Sequence, residues 1–355
     1  MTVLMFVAGL VLLIAGAECL VRGASRLALS LGISPLVVGL TVVAFGTSAP
    51  EVAVSVGAAL EGRTDMALGN VVGSNIFNVL FILGIAALIS PLIVNLQIIR
   101  QEVPIMIGAS VLTLLLGMDG RISFFDAALL FGLLLAYTAF LVVQSRRATK
   151  EASHEIDASV QSKSNWDAHW AVQVALVIAG LILLVLGADW LVDAATTFAR
   201  AMGVSDLVIA LTIVAAGTSM PELATSVMAA LRKERDIAVG NVIGSNTFNL
   251  LGCLGLAGFV APGGLVVAPS LLAFDMWVML AVALACLPIF MTGREISRWE
   301  GAVFLGYYAA YTAYLILAAQ QHDALKAFNS TMLIFVIPLT VVTLVVVMIK
   351  PKRRV

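Results

Sequence analysis

The sequence is poor in charge. Only 12% of its 355 residues are Asp, Glu, Lys or Arg, about half the share of an ordinary soluble domain. That deficit argues against a solvated globular protein, and a net charge of −1 points to no nucleic-acid partner. Cysteine and histidine are scarce, at three each. Cys19, Cys253 and Cys286 fall in apolar segments without ligand spacing and read as small buried hydrophobes. His154, His169 and His322 fall in or beside polar connections. Soft-metal ligands are therefore missing, which argues against zinc, copper or iron. No Ser–His or Cys–His pair and no HExxH lies in an apolar segment, so neither enzyme chemistry nor a resident cofactor is expected. The period-two alternation of a barrel strand is absent. A cleaved leader is not expected either, because the N-terminus has no positive n-region and Glu18 interrupts its apolar run.

What the chain does have is apolar length. Hydrophobic residues make up 61% of it, in about ten runs of 18 to 25 residues. Each run can cross roughly 30 Å of hydrocarbon as a helix, and helices satisfy their own backbone inside lipid. The expected fold class is an all-α polytopic membrane protein embedded in the lipid bilayer. Span 1 covers about 3–29; Gly32 ends it, and Ser34-Pro35 opens span 2 as cap and first-turn proline. Span 2 reaches Leu60 and span 3 covers 66–89. The polar stretch from Asn95 to Glu102 precedes span 4, which ends near Met118, and span 5 covers 124–143. A polar linker at 144–167, on the cytoplasmic side, is too short for a domain of its own. Spans 6 to 8 reach Val260, span 9 covers 273–292 and span 10 covers 301–319. An eleventh span, 332–349, leads into a basic tail, so 331–355 stands outside the rest.

The stretch from Leu40 to Gly84 recurs from Leu211 to Gly255. The offset is 171 throughout, without a gap, and 28 of 45 positions are identical. Gly9, Gly16 and Glu18 of span 1 find Gly180, Gly187 and Asp189 of span 6 at the same offset. Each repeat, 1–143 and 168–320, has five spans. Five is odd, so the second copy enters the membrane facing the other way. This predicts two inverted-topology repeats of five transmembrane helices plus one extra C-terminal helix, an architecture of secondary transporters. With the N-terminus outside, 16 of 20 Lys and Arg fall on the cytoplasmic side, as positive residues prefer. Arg63, Arg121, Arg200 and Lys326 are the four left outside. A multi-pass protein of the cell (inner) membrane with a cytoplasmic C-terminus is expected.

The repeat keeps its polar letters as faithfully as its apolar ones. In Gly46-Thr47-Ser48-Ala49-Pro50-Glu51, Thr47, Ser48 and Glu51 share a helix face. Pro50 lacks an N–H and clashes with the carbonyl of Gly46, so carbonyls near Ala44 to Gly46 are expected to turn away from the ladder. Ala215, Gly217, Thr218, Ser219, Pro221 and Glu222 repeat the set. In the second motif Gly69 and Gly73 allow close helix contact, and Ser74 and Asn78 lie on one face; Gly240, Gly244, Ser245 and Asn249 repeat this. Oxygens of these kinds suit a hard cation such as calcium. A glutamate in mid-span costs roughly 3 kcal/mol on insertion scales, and here that happens twice. Asn70, Asn75, Asn241 and Asn246 read either as ligands or as helix-start caps and interhelical glue. Glu18 and Asp189 either line an access path or hydrogen-bond neighbouring groups, Arg22 in the case of Glu18. Spans 4, 5, 9 and 10 carry no motif and read as apolar support.

At GTSAPE with GNVVGSNIFN and GTSMPE with GNVIGSNTFN, the sequence resembles the calcium/cation antiporter superfamily, and within it the prokaryotic sodium/calcium exchangers. The resemblance covers spans 1 to 10. It implies an ion site lined by Thr47, Ser48, Glu51, Ser74 and Asn78 with the carbonyl of Ala44. In the second half it implies Thr218, Ser219, Glu222, Ser245 and Asn249 with the carbonyl of Ala215. It also implies Ca2+ and Na+ as transported ions that exclude one another, and movement of spans 1 and 6 against the rest. Potassium-dependent members carry Asp where this chain has Asn249; two amides leave a two-carboxylate site and weaken the case for potassium. Proton-coupled relatives share the paired glutamates, which leaves H+ open as the coupling ion. The expected function is a secondary active antiporter exchanging Ca2+ for Na+ by alternating access. A Ca2+/H+ exchanger on the same scaffold is the alternative, with a cation channel further off because an inverted repeat around a closed site argues for alternating access.

Overall fold

A computed structural model describes residues 2–152, 169–204 and 206–349. The linker segment 153–168 and the basic tail 350–355 lie outside the described residues. The chain is a helical bundle. Its first half holds α1 (Thr2–Leu31), α2 (Pro35–Thr47), α3 (Ala49–Leu60), α4 (Thr64–Ile89), α5 (Ile98–Gly117) and α6 (Phe124–Ala152). The second holds α7 (Trp170–Ala201), α8 (206–217), α9 (Met220–Leu231), α10 (Arg235–Val260), α11 (Leu271–Met291) and α12 (Arg298–Ala319), followed by α13 (324–349). Among the described residues nine helices are long and apolar enough to cross a membrane, and α2 with α3 forms a tenth, bent span. The helices α8 and α9 are broken at the equivalent place.

Local chemistry sets these boundaries. Gly32 ends α1 with φ +64°, a conformation that costs glycine nothing. The Ser34 hydroxyl then accepts the Val37 N–H at 3.3 Å, with Pro35 in the first turn. Between α2 and α3 the axis turns by 44° at Ser48. Pro50 sits in the first turn of α3, where its missing N–H leaves nothing unsatisfied. Three expectations are corrected here. α6 continues as helix to Ala152, past the expected end at 143. The last helix begins at Ala324 rather than near 331, because His322 Nδ1 accepts the Ala324 N–H at 3.1 Å and starts it outside the apolar run. The stretch from Ile98 to Glu102 is a helical turn of α5, not part of a polar connection.

Two very short strand pairs bind the halves together. β1 (Leu92–Ile93) pairs with β4 (Glu295–Ile296), and β2 (Arg121–Ile122) pairs with β3 (Leu265–Val266), both antiparallel. Each pair joins a connection of the first repeat to one of the second. Following the spans through the membrane, both partners of each pair emerge on the same face, as inversion requires.

The central pair is α1 with α7. Their glycines interlock in reverse order. A Cβ on Gly9 would stand 2.9 Å from the Gly187 carbonyl, and one on Gly16 2.9 Å from that of Gly180. On the other helix, Gly180 would meet the Gly16 carbonyl at 2.8 Å and Gly187 that of Gly9 at 2.9 Å. A seven-residue spacing of glycines keeps the backbones in contact along one stripe.

The supporting helices are not purely apolar. Glu102, buried on α5, accepts the Tyr137 hydroxyl at 2.6 Å and the amides of Gln97 and Gln101 at 2.9 and 2.7 Å. Asp275 on α11 accepts the Tyr311 hydroxyl at 2.8 Å. These are counterparts in the two repeats, lying two to three residues off the 171-residue register, so a gapless comparison does not show them.

Candidate ion site

The two broken helices meet at the centre of the bundle. Ser48 and Ser219 stand at the breaks, and Glu51 and Glu222 fall in the first turns of α3 and α9. The unpaired N–H groups and positive dipole of a helix start favour a carboxylate there. The contacts cross reciprocally between the halves. The Ser48 hydroxyl donates to Glu222 Oε1 at 2.9 Å, and the Ser219 hydroxyl donates to Glu51 Oε1 at 2.8 Å. Thr47 donates to Asn241 Oδ1 at 3.2 Å, and Thr218 donates to Asn70 Oδ1 at 3.3 Å. Both carboxylates are fully buried.

The second motif closes the floor. Asn70 Nδ2 donates to Ser55 Oγ at 3.0 Å and to the Glu51 carbonyl at 3.4 Å. Asn241 makes the same two bonds to Ser226 and the Glu222 carbonyl, at 3.0 and 3.4 Å. Asn78 Nδ2 donates to Asn246 Oδ1 at 3.0 Å, Asn246 Nδ2 to the Asn75 carbonyl at 3.2 Å, and Asn249 Nδ2 to Asn75 Oδ1 at 3.5 Å. None of these asparagines caps a helix start through its side chain. They hold the motif helices to one another and set the Thr and Glu side chains. The signal for this was present as the repeated Ser–Asn spacing of 55/70 and 226/241.

Of the residues read from the sequence, Thr47, Ser48, Glu51, Ser74, Asn78, Ser219, Glu222, Ser245 and Asn249 converge in the buried interior, with Thr218 half-buried beside them. The Ala44 carbonyl does not leave the ladder. It accepts the Ser48 N–H at 3.1 Å and also the hydroxyls of Thr47 and Ser245, both at 3.4 Å. Helix α2 ends by tightening at Ser48 instead of opening at Gly46. Ala215 begins the short helix Ala215–Gly217, and its side chain lies outside the described residues. Glu18 forms an ion pair with Arg232, from the turn between α9 and α10.

The helices also widen beside the site. Turns with i→i+5 bonding run over Gly39–Val43 and Ala210–Val214, just ahead of the breaks. Others run over Asn78–Leu83 and Asn249–Cys253, starting at the motif asparagines. Such π-turns gather at functional sites. Among the described residues, the buried oxygens without a hydrogen-bond partner include four at this site, Glu51 Oε2, Glu222 Oε2, Ser74 Oγ and Asn78 Oδ1. Buried polar atoms are nearly always satisfied, so four orphans in one place form a set built to face a ligand.

Inverted halves, broken spans and a polar centre define the class: a membrane transporter, not an enzyme. The family of sodium/calcium exchanger proteins matches residues 1–143 and 172–317, and the chain belongs to it. The putative antiporter CaxA of Alkalimonas amylolytica is 40% identical over 316 residues, 88% of this chain and 97% of that protein. The sodium/calcium exchanger MaX1 of Methanosarcina acetivorans is 35% identical over 343 residues, 88% of this chain and 97% of its own length. The solved structure of the sodium-calcium exchanger NCX_Mj, soaked with Na+ and Sr2+, matches with a TM-score of 0.74 at 32% identity, covering 88% of this chain and 97% of that one.

Proposed function

We propose that the protein expels Ca2+ from the cytoplasm in exchange for Na+ by alternating access. In this reading Glu51 and Glu222 are the shared ligands, and Thr47, Ser48, Ser74, Asn78, Thr218, Ser219, Ser245 and Asn249 complete the site with the carbonyls of Ala44 and Ala215. The observation that carries it is the reciprocal pairing of each buried glutamate with the serine of the opposite half, with each second carboxylate oxygen left unpartnered. Two carboxylates with hydroxyls and amides match the oxygen-only shell of a hard cation. Two negative charges brought together in low dielectric repel unless a cation or proton joins them. One divalent ion or alternating monovalent ions do so, and competition for the same oxygens couples the two fluxes.

The repeats 1–143 and 168–320 then act as the two gates. The N-terminus lies outside, as the distribution of Lys and Arg favours, with 144–167 and 331–355 read as cytoplasmic linker and as last span with its tail. The glycine seam makes α1 and α7 one body that moves over the site.

Calcium uptake into inverted membrane vesicles loaded with Na+ tests the proposal. Uptake is expected to follow the outward Na+ gradient, to be indifferent to a pH gradient, and to fall about 100-fold in Glu51→Gln or Glu222→Gln, the loss expected when one member of a buried charged set is removed. Uptake driven by pH alone would overturn Na+ in favour of H+. Full activity in the glutamine variants would overturn the site.

A further inference from the structure

The two halves of the site are not equal, and the difference falls on one pair of amides. Asn78 and Asn249 are counterparts, each donating through Nδ2 to an asparagine of the other half. Their oxygens differ. Among the described residues Asn78 Oδ1 has no partner, whereas Asn249 Oδ1 accepts the Cys253 thiol at 3.4 Å. The counterpart of Cys253 is Ile82, which has no donor. The serines follow the same division: Ser74 Oγ is unpartnered, while Ser245 Oγ donates to the Ala44 carbonyl at 3.4 Å. All of these groups are buried. The usual bond of a buried helical thiol is to the backbone carbonyl four residues back, as Cys286 makes to Val282. Cys253 reaches the side chain of Asn249 instead.

We infer that Cys253 is a specificity-determining positioning residue, whose thiol occupies the oxygen of Asn249 and leaves Ser74 and Asn78 as the free neutral ligands of an asymmetric ion cradle. The inference rests on the proposed ion site. A hard divalent cation draws on six to eight oxygens, and a monovalent ion of similar size gains less from each. Occupying one amide oxygen therefore lowers calcium affinity more than sodium affinity. The thiol sets where the competition between the two ions is balanced.

Calorimetric titration of the purified protein with CaCl2, without Na+ and at graded NaCl, tests this on four chains. Cys253→Ala removes the donor without adding bulk and is expected to tighten Ca2+ binding about threefold to tenfold, the worth of one net hydrogen bond, with a smaller change for Na+. Ile82→Cys places a thiol beside Asn78 Oδ1 and is expected to weaken Ca2+ binding to a similar degree. Cys253→Ser keeps a donor and is expected to stay within about twofold of the parent, taking the same hydrogen-bond scale. Unchanged Ca2+ affinity in both Cys253→Ala and Ile82→Cys overturns the role of Cys253 alone, as does a serine variant that behaves like the alanine one. A parent protein that binds neither ion overturns the proposed site and this role with it.

Discussion

The motif residues of α10 are buried where α2 meets them, and their counterparts on α4 are only half-buried. On the α10 side Gly240 and Gly244 are buried, and a Cβ on Gly244 would stand 2.7 Å from the Leu40 carbonyl. On the other side Gly69, Asn70 and Gly73 are half-buried, and a Cβ on Gly69 or Gly73 meets no atom of the described residues within 4 Å. The same motif is thus buried in one half and partly exposed in the other. Part of the reason lies in the sequence. The α10 side is latched to α1 by the Glu18–Arg232 pair and by Ser25, whose hydroxyl donates to Glu234 at 2.9 Å. At the equivalent positions of the other half stand Asp189 and Glu61, both acidic, and Glu61 pairs with its own neighbour Arg63. Among the described residues, one half carries this latch and the equivalent positions of the other hold acidic residues instead.

The largest effects are expected from blocking the flanks. Gly244→Leu has no room beside α2 and should abolish exchange by forcing the two helices apart. Gly73→Leu, at the half-buried counterpart, should lower exchange by hindering approach of α8 to α4, while Ca2+ binding measured by calorimetry survives. Equal loss of binding in both variants would end the comparison. Next comes accessibility. In detergent-solubilised protein, where a maleimide reaches both faces, Gly69→Cys is expected to react at least about tenfold faster than Gly240→Cys, since thiol reactivity follows exposure. Equal rates would mean that the flanks do not differ in solution. A smaller shift is expected from Arg232→Glu, which makes the α10 flank resemble the α4 one. The ion pair is about a third exposed, so its loss is worth about 0–1 kcal/mol. The readout is a few-fold rise in labelling at Gly240→Cys. Smallest are Tyr137→Phe and Tyr311→Phe, which remove matching bonds to Glu102 and Asp275. Each should lower thermal stability by about 1–3 kcal/mol with transport retained, and the more enclosed Glu102 pair should lose more.

Much of this organisation was legible in the residues. The gapless repeat announces the two halves, its polar letters announce the site, and an odd number of spans announces the inversion. Proline chemistry points to a disturbance of both helices near Gly46 and Gly217, but their ends at Ser48 and Ser219 show only in the structure. What was not legible depends on partners that meet only in three dimensions. Asn70 and Asn75 carry the same letters whether they cap a helix or cross-link two, and only the reciprocal contacts decide. Glu102 and Asp275 escaped because the later spans drifted out of register, and because a carboxylate bonded to one tyrosine leaves no local pattern. The start of α13 was set by a histidine acceptor at its first turn, where apolar periodicity is silent. The asymmetry between the halves was present as Arg232 opposite Glu61, but no reading of one strand of letters tells which contacts a moving part makes.

The crossed serine–glutamate bonds have a consequence for how such a chain is put together. In the language of oligomers the centre of the molecule is an isologous interface: residue i of one half meets residue j of the other, and j meets i. Ser48 with Glu222 and Ser219 with Glu51 satisfy that rule inside a single polypeptide. So do the interlocked glycines and the two crossed strand pairs. A single five-span unit inserted in both orientations therefore carries every group needed to assemble the centre as an antiparallel dimer. Within one chain the two copies need not stay identical, and Arg232 and Cys253 stand where their counterparts are Glu61 and Ile82.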